Sequence, residues 1–257
     1  MLPTALRPKN NYDLIRLGSK YDGGYLVDSK SIKESEFLLS GGIFYDFQFE
    51  IDFINFTKKK VYCFDHTIKP FKFTLHWFLI LFKRIFFFEG YLRIKKAFKT
   101  FLKPMKFFNF IIKKEVIYEK KGIGVDSKDI RSLETILKKI SLKKKYFLKI
   151  DIEGDEYKIL DQIIKNSEYL TGLVIEFHNV SINIEKIVSF IKRLPLELIY
   201  IRPNNAGTLT NDNDPEIIEL TFSKYALPLN NNEFKKHRLD FPNNPYKNDI
   251  VLKFSKL

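Results

Sequence analysis

Short apolar runs that end in glycine or acidic residues recur along the chain, and stretches with helical spacing of apolar positions separate many of them. Helices are predicted after Asp46, at 132–140, behind Gly154 and at 184–194. Strands that alternate with helices predict an α/β fold with a mostly parallel sheet and antiparallel strands at its C-terminal end. The predicted strands are 37–40, 61–64, 146–152, 172–179, 197–201, 217–222 and 249–254.

The strand predicted at 146–152 ends in a crowd of carboxylates. Asp151 and Glu153 stand at its end, and Gly154 provides a turn before the following helix. In open α/β sheets, ligands bind outside the carboxyl ends of the strands. The pattern therefore predicts a binding or catalytic site here; the alternative is an acidic helix N-terminus without chemistry.

Two earlier strands also end in residues suited to a ligand. Gly41-Gly42 follows the first strand, and glycine lets backbone approach a bound molecule. Asp65 closes the second strand, where an acidic residue commonly accepts hydrogen bonds from ribose hydroxyls; the alternative is an ordinary loop residue. No G-x-G-x-x-G is present, so a dinucleotide fingerprint is not supported. A third strand region is predicted over 110–118, before the turn at 122–127.

We predict that residues 1–36 form an entry segment, in which Gly23-Gly24 forms a hairpin turn or, alternatively, approaches a ligand.

We predict that residues 70–112 form a basic, aromatic, helical insertion. Lys83-Arg84 interrupts its apolar run, and a bilayer-spanning helix needs about 20 mostly apolar residues, so the segment is not expected to span. Either it covers the sheet or the pocket, or its part 75–106 contacts a membrane surface or a partner protein.

Composition adds a strong positive charge to this picture. The 257 residues, 45% of them hydrophobic, predict one folded domain, and the net charge of +13 favours anionic partners. Cys63 is the single cysteine, so no intrachain disulfide forms and a reducing compartment fits. Met1 to Leu14 lacks the apolar core of a secretory signal. We expect a cytoplasmic protein, with peripheral binding at the inner membrane surface as an option.

Several ordered segments carry a resemblance to a known family. They are 39–42 with Asp46 and Phe49-Glu50, Phe64-Asp65 with Thr67, 122–124, 148–154 with Glu156 and Leu160, and 175–178, preceded by 16–18 and 22–25. Together they span about residues 14 to 180. In this order they resemble the FkbM-like family of S-adenosylmethionine (SAM)-dependent methyltransferases. Two departures stand out: Asp65-His66-Thr67 replaces the usual Asp-Pro-Thr, and the insertion is long and aromatic.

The resemblance implies a Rossmann-like seven-stranded methyltransferase sheet, mostly parallel with an antiparallel C-terminal part. It also implies methyl transfer from SAM to a small-molecule hydroxyl, often on a sugar or sugar nucleotide of a surface polysaccharide. The implied cofactor-binding residues are Gly41, Gly42 and Glu50 in the first turn, Asp65 at the ribose, and Asp126 with Ser127 near the adenine.

Three residues compete for the role of general base. His178 is the first candidate because it stands at a strand end beside Glu176, and Asp151 and Glu153 are the alternatives. The same residues could instead hold Mg²⁺ or Mn²⁺, since oxygen ligands with one imidazole suit these ions.

Two other classes of function follow from the charge and the insertion. A nucleic-acid methyltransferase or binder would suit +13, but the lysines are dispersed and no aromatic-basic RNA-binding signature appears, so nucleic acid is not expected. A non-catalytic membrane-surface protein would use the insertion. The leading hypothesis remains an O-methyltransferase.

Overall fold

The computed structural model describes residues 1–88, 90–140, 143–229 and 234–255. Its helices are α1 (Ser29–Glu34), α2 (Gln48–Thr57), α3 (Pro70–Phe86), α4 (Tyr91–Phe101), α5 (Lys103–Ile111), α6 (Leu133–Ile140), α7 (Leu160–Lys165) and α8 (Val180–Arg193). Its strands are β1 (Ile15–Gly18), β2 (Gly24–Val27), β3 (Phe37–Gly41), β4 (Lys60–Phe64), β5 (Val116–Glu119), β6 (Gly122–Ile123), β7 (Ile130–Arg131), β8 (Tyr146–Ile150), β9 (Leu170–His178), β10 (Glu197–Pro203) and β11 (Ile217–Ser223). Short 3₁₀ turns lie at Thr4–Leu6, Glu156–Lys158 and Ser167–Tyr169.

The central sheet has seven strands in the spatial order β10-β11-β9-β8-β3-β4-β5. Strands β5, β4, β3, β8 and β9 run parallel, and β11 runs antiparallel to both β9 and β10. This is the order and orientation of the Rossmann-like methyltransferase sheet, so the predicted fold class is confirmed. The strand order reverses between β3 and β8, and such a switch point opens a crevice at the carboxyl ends of the strands.

The parallel strands are mostly apolar because both of their faces are covered. Neighbouring residues on one strand alternate between two core clusters: Leu38 and Phe147 belong to one, and Leu39 and Leu148 to the other. Successive side chains of a strand point to opposite faces, so these clusters are the two layers that helices cover. Because both faces of these strands are buried, most of their polar side chains lie at the strand ends.

The entry segment contains the expected hairpin. Strands β1 and β2 pair antiparallel, and Gly23 occupies the left-handed region of the turn with φ of +73°. Helix α2, Gln48–Thr57, is the helix predicted after the strand that forms β3.

The insertion folds as three helices, α3, α4 and α5, rather than one. Phe107 and Phe110 of α5 are buried, and Phe110 stacks on Phe47 with ring centroids 4.5 Å apart. The strand predicted over 110–112 is therefore wrong, although 116–119 does form β5. Phe107 and Phe110 are three residues apart, so on a helix both face the core. Among the described residues, no helix is long and apolar enough to cross a bilayer.

Two other segments differ from the sequence prediction. The segment 249–254 does not join the sheet: it crosses the N-terminal residues, where Leu2 N donates to the Lys253 carbonyl at 2.9 Å. Its apolar residues Leu252 and Phe254 pack against the core without strand pairing in the sheet. Strand β8 ends at Ile150, and the helix expected directly behind Gly154 begins only at Leu160, after a 3₁₀ turn.

Candidate active site

A cavity of about 440 Å³ opens at the carboxyl ends of β3, β4 and β8, at the switch point of the sheet. Predicted site residues Gly42, Asp65, Asp151 and Glu153 all line it. The rest of its wall is formed by Asp22, Gly23, Ile43, Phe44, Asp46, Phe64, His66, Thr67, Gly122, Ile123, Ile130, Lys149, Ile152 and Asp155. The structure thus brings the ends of the first, second and fourth parallel strands of the chain to one concave surface.

Gly42 is the point where two strand ends come closest. Its φ is +77°, and a Cβ at this position would lie 1.5 Å from the Asp151 carbonyl oxygen. Its N–H donates to the Phe64 carbonyl at 3.0 Å, which ties the turn to β4. No side chain fits here, so bare backbone lines the cavity. Gly41 lies one residue deeper, where a Cβ would meet Ile123 at 2.8 Å.

Asp65 is buried and held by three hydrogen bonds. Its Oδ2 accepts from Phe44 N at 2.8 Å, and its Oδ1 accepts from Thr67 N at 2.7 Å and from Thr67 Oγ1 at 2.6 Å. Together the two carboxylate oxygens offer about four acceptor positions, so one remains for a ligand hydroxyl. The carboxylate that the sequence assigns to a ribose is therefore fixed in place.

The direct cofactor contact predicted for Glu50 stays a prediction, because Glu50 is buried behind the cavity lining. Glu50 is 0% exposed, accepts a hydrogen bond from Ser40 Oγ at 2.5 Å and lies 3.5 Å from Lys149 Nζ. Lys149, not Glu50, lines the cavity. Burial lowers the pKa of Lys149, but the charges of Glu50 and Asp151 outweigh burial and leave the pKa above its ordinary value. Glu50 thus acts on the cavity by holding a buried ammonium group in its wall.

Asp126 and Ser127 lie outside the described cavity lining. Asp126 accepts hydrogen bonds from Ser132 N at 2.8 Å and from Ser132 Oγ at 2.7 Å, at the start of α6. These bonds lower the pKa of the exposed Asp126 carboxyl. Ser127 N donates to the Ile130 carbonyl within the same loop. In the structure Asp126 holds Ser132, the residue directly before α6, and an adenine contact of Asp126 stays a prediction.

His178, at the end of β9, is surrounded by carboxylates. Its Nε2 lies 3.2 Å from Glu176 Oε1 and 3.5 Å from Glu153 Oε2, and its Nδ1 lies 3.3 Å from Glu156 Oε1. The His178 backbone N–H also donates to Glu156 Oε1 at 2.6 Å. Glu156 was not among the predicted site residues, although its position in the acidic turn at 153–156 is a signal that could have identified it.

This environment sets the protonation state of His178. Burial lowers the pKa of the imidazole, but hydrogen bonds to Glu156 and Glu176 and the charges of both carboxylates outweigh it and raise the pKa to about 10. Burial raises the pKa of Glu176. At neutral pH His178 is therefore an imidazolium and holds a proton instead of accepting one.

Asp151 has the opposite character. Burial raises its pKa, partly offset by the charges of Lys149 and His178, and Tyr25 Oη donates to its Oδ2 at 3.3 Å. A carboxylate with a raised pKa that lines a cavity is suited to proton transfer near neutral pH. The ligand atoms of Asp151, Glu153 and His178 all lie within 4.8 Å of one another, which is close enough to surround a metal ion. Glu153 adopts φ of +54°, a strained conformation for its residue type.

The methyltransferase FkbM domain model matches residues 105–198. The resemblance to the FkbM family is confirmed over this segment. The FkbM match contains β8, β9 and the carboxylates around His178, and it supports a SAM-dependent methyltransferase. Gly42 and Asp65 lie before it, on strands that the structure places beside β8.

Two solved methyltransferase structures resemble the chain at low sequence identity. An rRNA methylase from Streptococcus thermophilus is 10% identical with a TM-score of 0.42, over 76% of this chain and 90% of that one. SMU.1697c, a putative methyltransferase from Streptococcus mutans in complex with SAH, is 13% identical with a TM-score of 0.39, over 77% of this chain and 93% of that one. Similarities of this strength say nothing about what this chain binds. No curated protein matches the chain.

Proposed function

We propose that this protein is a SAM-dependent O-methyltransferase that methylates a hydroxyl group of a sugar or sugar nucleotide. The observation that carries the proposal is a single cavity that joins the backbone turn at Gly42 and the fixed carboxylate of Asp65 to the proton-transfer group Asp151. A wall this rich in carboxylates suits an acceptor that presents several hydroxyls.

The residues present fit SAM. The cavity lies within the usual 300 to 1,000 Å³ of small-molecule sites and offers a side-chain-free turn at Gly42, where a Cβ would fill the available space. Asp65 is placed to accept a hydrogen bond from a ribose hydroxyl, and Lys149 offers an ammonium group suited to a methionyl carboxylate. When bound, SAM supplies a methyl group on a positively charged sulfur.

The chain's own contribution is to place the acceptor and take its proton. Asp151 would take the hydroxyl proton of the acceptor, whose oxygen would receive the methyl group that bound SAM supplies. A positioned general base accounts for about 10²- to 10⁴-fold of rate. His178, already protonated, orients Glu153 and Glu176 and keeps part of the negative charge of the cluster neutralised. Of the three predicted bases, Asp151 fits best.

A divalent cation is a second candidate ligand of the same cluster. Donor atoms of Asp151, Glu153 and His178 lie within 4.8 Å of one another, and Mg²⁺ takes oxygen ligands at about 2.1 Å, so the set can close around an ion. A bound cation would polarise the acceptor oxygen. It must first displace the His178 proton, so binding should strengthen as pH rises. Mn²⁺ binding followed by electron paramagnetic resonance, with Glu153→Gln as the comparison, tests this independently of activity.

The cofactor assignment is tested by calorimetry with SAM. Asp65→Ala should weaken SAM binding at least tenfold, because a ribose loses a charged acceptor and the Phe44 turn loses its anchor. Asp161→Ala is the matched control: it removes an exposed acidic residue of α7 that lies outside the cavity lining and should leave the affinity unchanged. Equal affinities of the Asp65→Ala variant and the unaltered protein would remove SAM from the proposal.

The acceptor class is tested separately, with methyl transfer from labelled SAM to sugar nucleotides and glycans. Mass spectrometry should locate the added methyl group on an oxygen. Transfer to RNA or DNA instead, together with a salt-dependent gel shift, would replace this acceptor class with the nucleic-acid alternative that the net charge of +13 suggests.

A further inference from the structure

The insertion, residues 70–112, presents a surface that the proposed methyl transfer does not use. Twelve of the chain's 26 phenylalanines lie in it, with nine Lys or Arg residues and one acidic residue, Glu89. We infer that it is a docking surface for an anionic lipid bilayer and that it holds the enzyme at a membrane surface.

The insertion is anchored at one end only. At its base, Phe73 packs on Tyr45 with ring centroids 4.2 Å apart, and Phe107 and Phe110 are buried against the sheet layer. Helix α3, in contrast, contains no buried residue over its full length. The base is thus part of the protein core, whereas α3 and the turn that follows it stand out from that core.

The projecting part carries a continuous apolar face. Phe71, Leu75, Phe78 and Phe82 repeat every three or four residues on α3, and all are exposed. This spacing places them on one side of the helix. A folded protein rarely leaves so many large apolar side chains in water, so the face indicates an interaction site.

The turn between α3 and α4 continues that face as an aromatic tip, defined as Phe86, Phe87, Phe88, Tyr91 and Leu92. Phe88 is 90% exposed and Leu92 77% exposed. Aromatic side chains at the end of a projecting hairpin can enter the boundary between lipid headgroups and acyl chains without carrying the whole helix into the bilayer.

Basic residues border the tip on both sides. Lys83 and Arg84 occupy the last turn of α3, and Lys95, Lys96 and Lys99 follow on α4. Lys95 Nζ lies 5.4 Å from the centre of the Tyr91 ring, which places the cation and the aromatic surface together. Anionic headgroups attract such a cluster, while its apolar neighbours are buried.

The same composition argues for lipid over a protein partner. The central parts of protein–protein interfaces are depleted in lysine, because burying an ammonium group against another protein costs free energy. At a bilayer surface, lysines keep their charged ends at the headgroups and lay their aliphatic stems on the apolar surface. A face that mixes phenylalanine and lysine so closely therefore fits an anionic membrane.

Co-sedimentation of the full chain with vesicles tests the inference. We expect binding to vesicles of phosphatidylcholine with phosphatidylglycerol, and little binding to phosphatidylcholine alone. The combined change Phe86→Ser, Phe87→Ser, Phe88→Ser should reduce binding at least tenfold, since each buried phenylalanine contributes substantially. The combined change Lys95→Glu, Lys96→Glu, Lys99→Glu should reduce it on the order of a hundredfold, because each basic residue near the surface contributes about fivefold.

Matched controls separate the surface from general charge and hydrophobicity. Lys143→Glu, Lys144→Glu, Lys192→Glu makes the same charge change at exposed lysines outside the insertion, and Ile182→Ser with Val251→Ser removes exposed apolar residues elsewhere. Both should keep vesicle binding, and all variants should keep SAM affinity, which separates this test from that of the proposed function. Absence of binding to anionic vesicles, or equal loss in the controls, would overturn the inference. So would a concentration-dependent dimer abolished by the Phe86–Phe88 changes, since a second copy would then cover the face.

Discussion

The β3–β4 wall of the cavity and the carboxylate cluster around His178, which adjoins the cavity at Asp151 and Glu153, satisfy their polar groups in different ways. On the β3–β4 side, Asp65 receives hydrogen bonds from the Phe44 and Thr67 backbone, so its carboxylate completes two loops. On the β8–β9 side, Glu153, Glu156 and Glu176 surround the single imidazole of His178, with Asp151 close by. The first arrangement completes the hydrogen bonds of two loops. The second concentrates like charges around His178, where Glu156 and Glu176 are buried and Glu153 is exposed.

That difference distinguishes a region suited to binding a cofactor from a region suited to proton transfer. Burial, with a smaller contribution from neighbouring carboxylates, raises the pKa of Asp151 and of Glu176, and this costs folding free energy. Strongly shifted groups in a cavity are a mark of functional sites. We therefore propose cofactor binding on the Gly42 and Asp65 side, and proton transfer on the Asp151 side.

The largest effect is expected at Gly42, where the two sides meet. Gly42→Ala puts a Cβ 1.5 Å from the Asp151 carbonyl in a left-handed conformation, so the strand ends must separate. We expect SAM binding to be lost and the melting temperature to fall. Gly154→Ala is the control: its φ is +102°, but nothing lies within 4 Å, so only backbone strain of about 1 kcal/mol is added. Similar SAM affinities for the two variants would contradict this account of the turn.

The next effect concerns the proton-transfer side. Asp151→Asn should lower turnover by about 10²- to 10⁴-fold while SAM affinity stays within a few-fold. His178→Ala should also keep SAM affinity and lose turnover, because the carboxylates it neutralises would repel one another. Single-turnover kinetics with calorimetry separates the two quantities. Asp155→Asn, at an acidic residue of the same cavity wall, should retain activity. Full activity of Asp151→Asn would move the base to Glu153 or His178.

A third effect should appear in stability. Glu50→Ala leaves the buried Lys149 ammonium without its partner 3.5 Å away, and breaking a buried pair costs about 3 to 5 kcal/mol of unfolding free energy. The exposed pair of Glu34 and Lys145, at 3.1 Å, is the comparison: Glu34→Ala should cost about 0 to 1 kcal/mol. Urea unfolding measures both. If Glu50→Ala weakened SAM binding without loss of stability, Glu50 would be a cofactor ligand as the sequence suggested.

The sequence predicted the strand ends well because apolar runs that are buried on both faces have sharp polar ends. Gly42, Asp65 and Asp151 lie in one cavity for that reason. The burial of Glu50 was not predicted, because a helix residue can face the core or the cavity and the pattern of α2 does not distinguish them. Lys149, inside the apolar strand β8, was the available signal: a lysine there requires a buried acidic partner.

Segments outside the parallel strands were harder to predict for a different reason. Phe110 to Ile112 forms a short apolar run that suits a strand, and only contacts made by Phe107 and Phe110 with the core decide for a helix. The run 249–254 has strand composition, but the N-terminal residues take up its backbone hydrogen bonds. Such outcomes depend on partners far along the chain, which local patterns do not contain.

The smallest effect, and the most specific to the carboxylate side, is in the pH dependence of stability. The carboxylates raise the pKa of His178 to about 10, from an ordinary value of 6.5. Its contribution to the free energy of unfolding is therefore complete below pH 6.5 and disappears as pH rises toward 10. The raised pKa of Glu176 acts in the same direction, because a buried carboxyl becomes charged as pH increases. We expect the free energy of unfolding, measured with chelator present, to fall between about pH 6.5 and about pH 10. His178→Gln should flatten this slope, whereas His66→Gln, at an exposed histidine of the same cavity, should not. Parallel slopes for the unaltered protein and the His178→Gln variant would mean that the carboxylates do not hold an imidazolium. His178 would then return as a candidate general base.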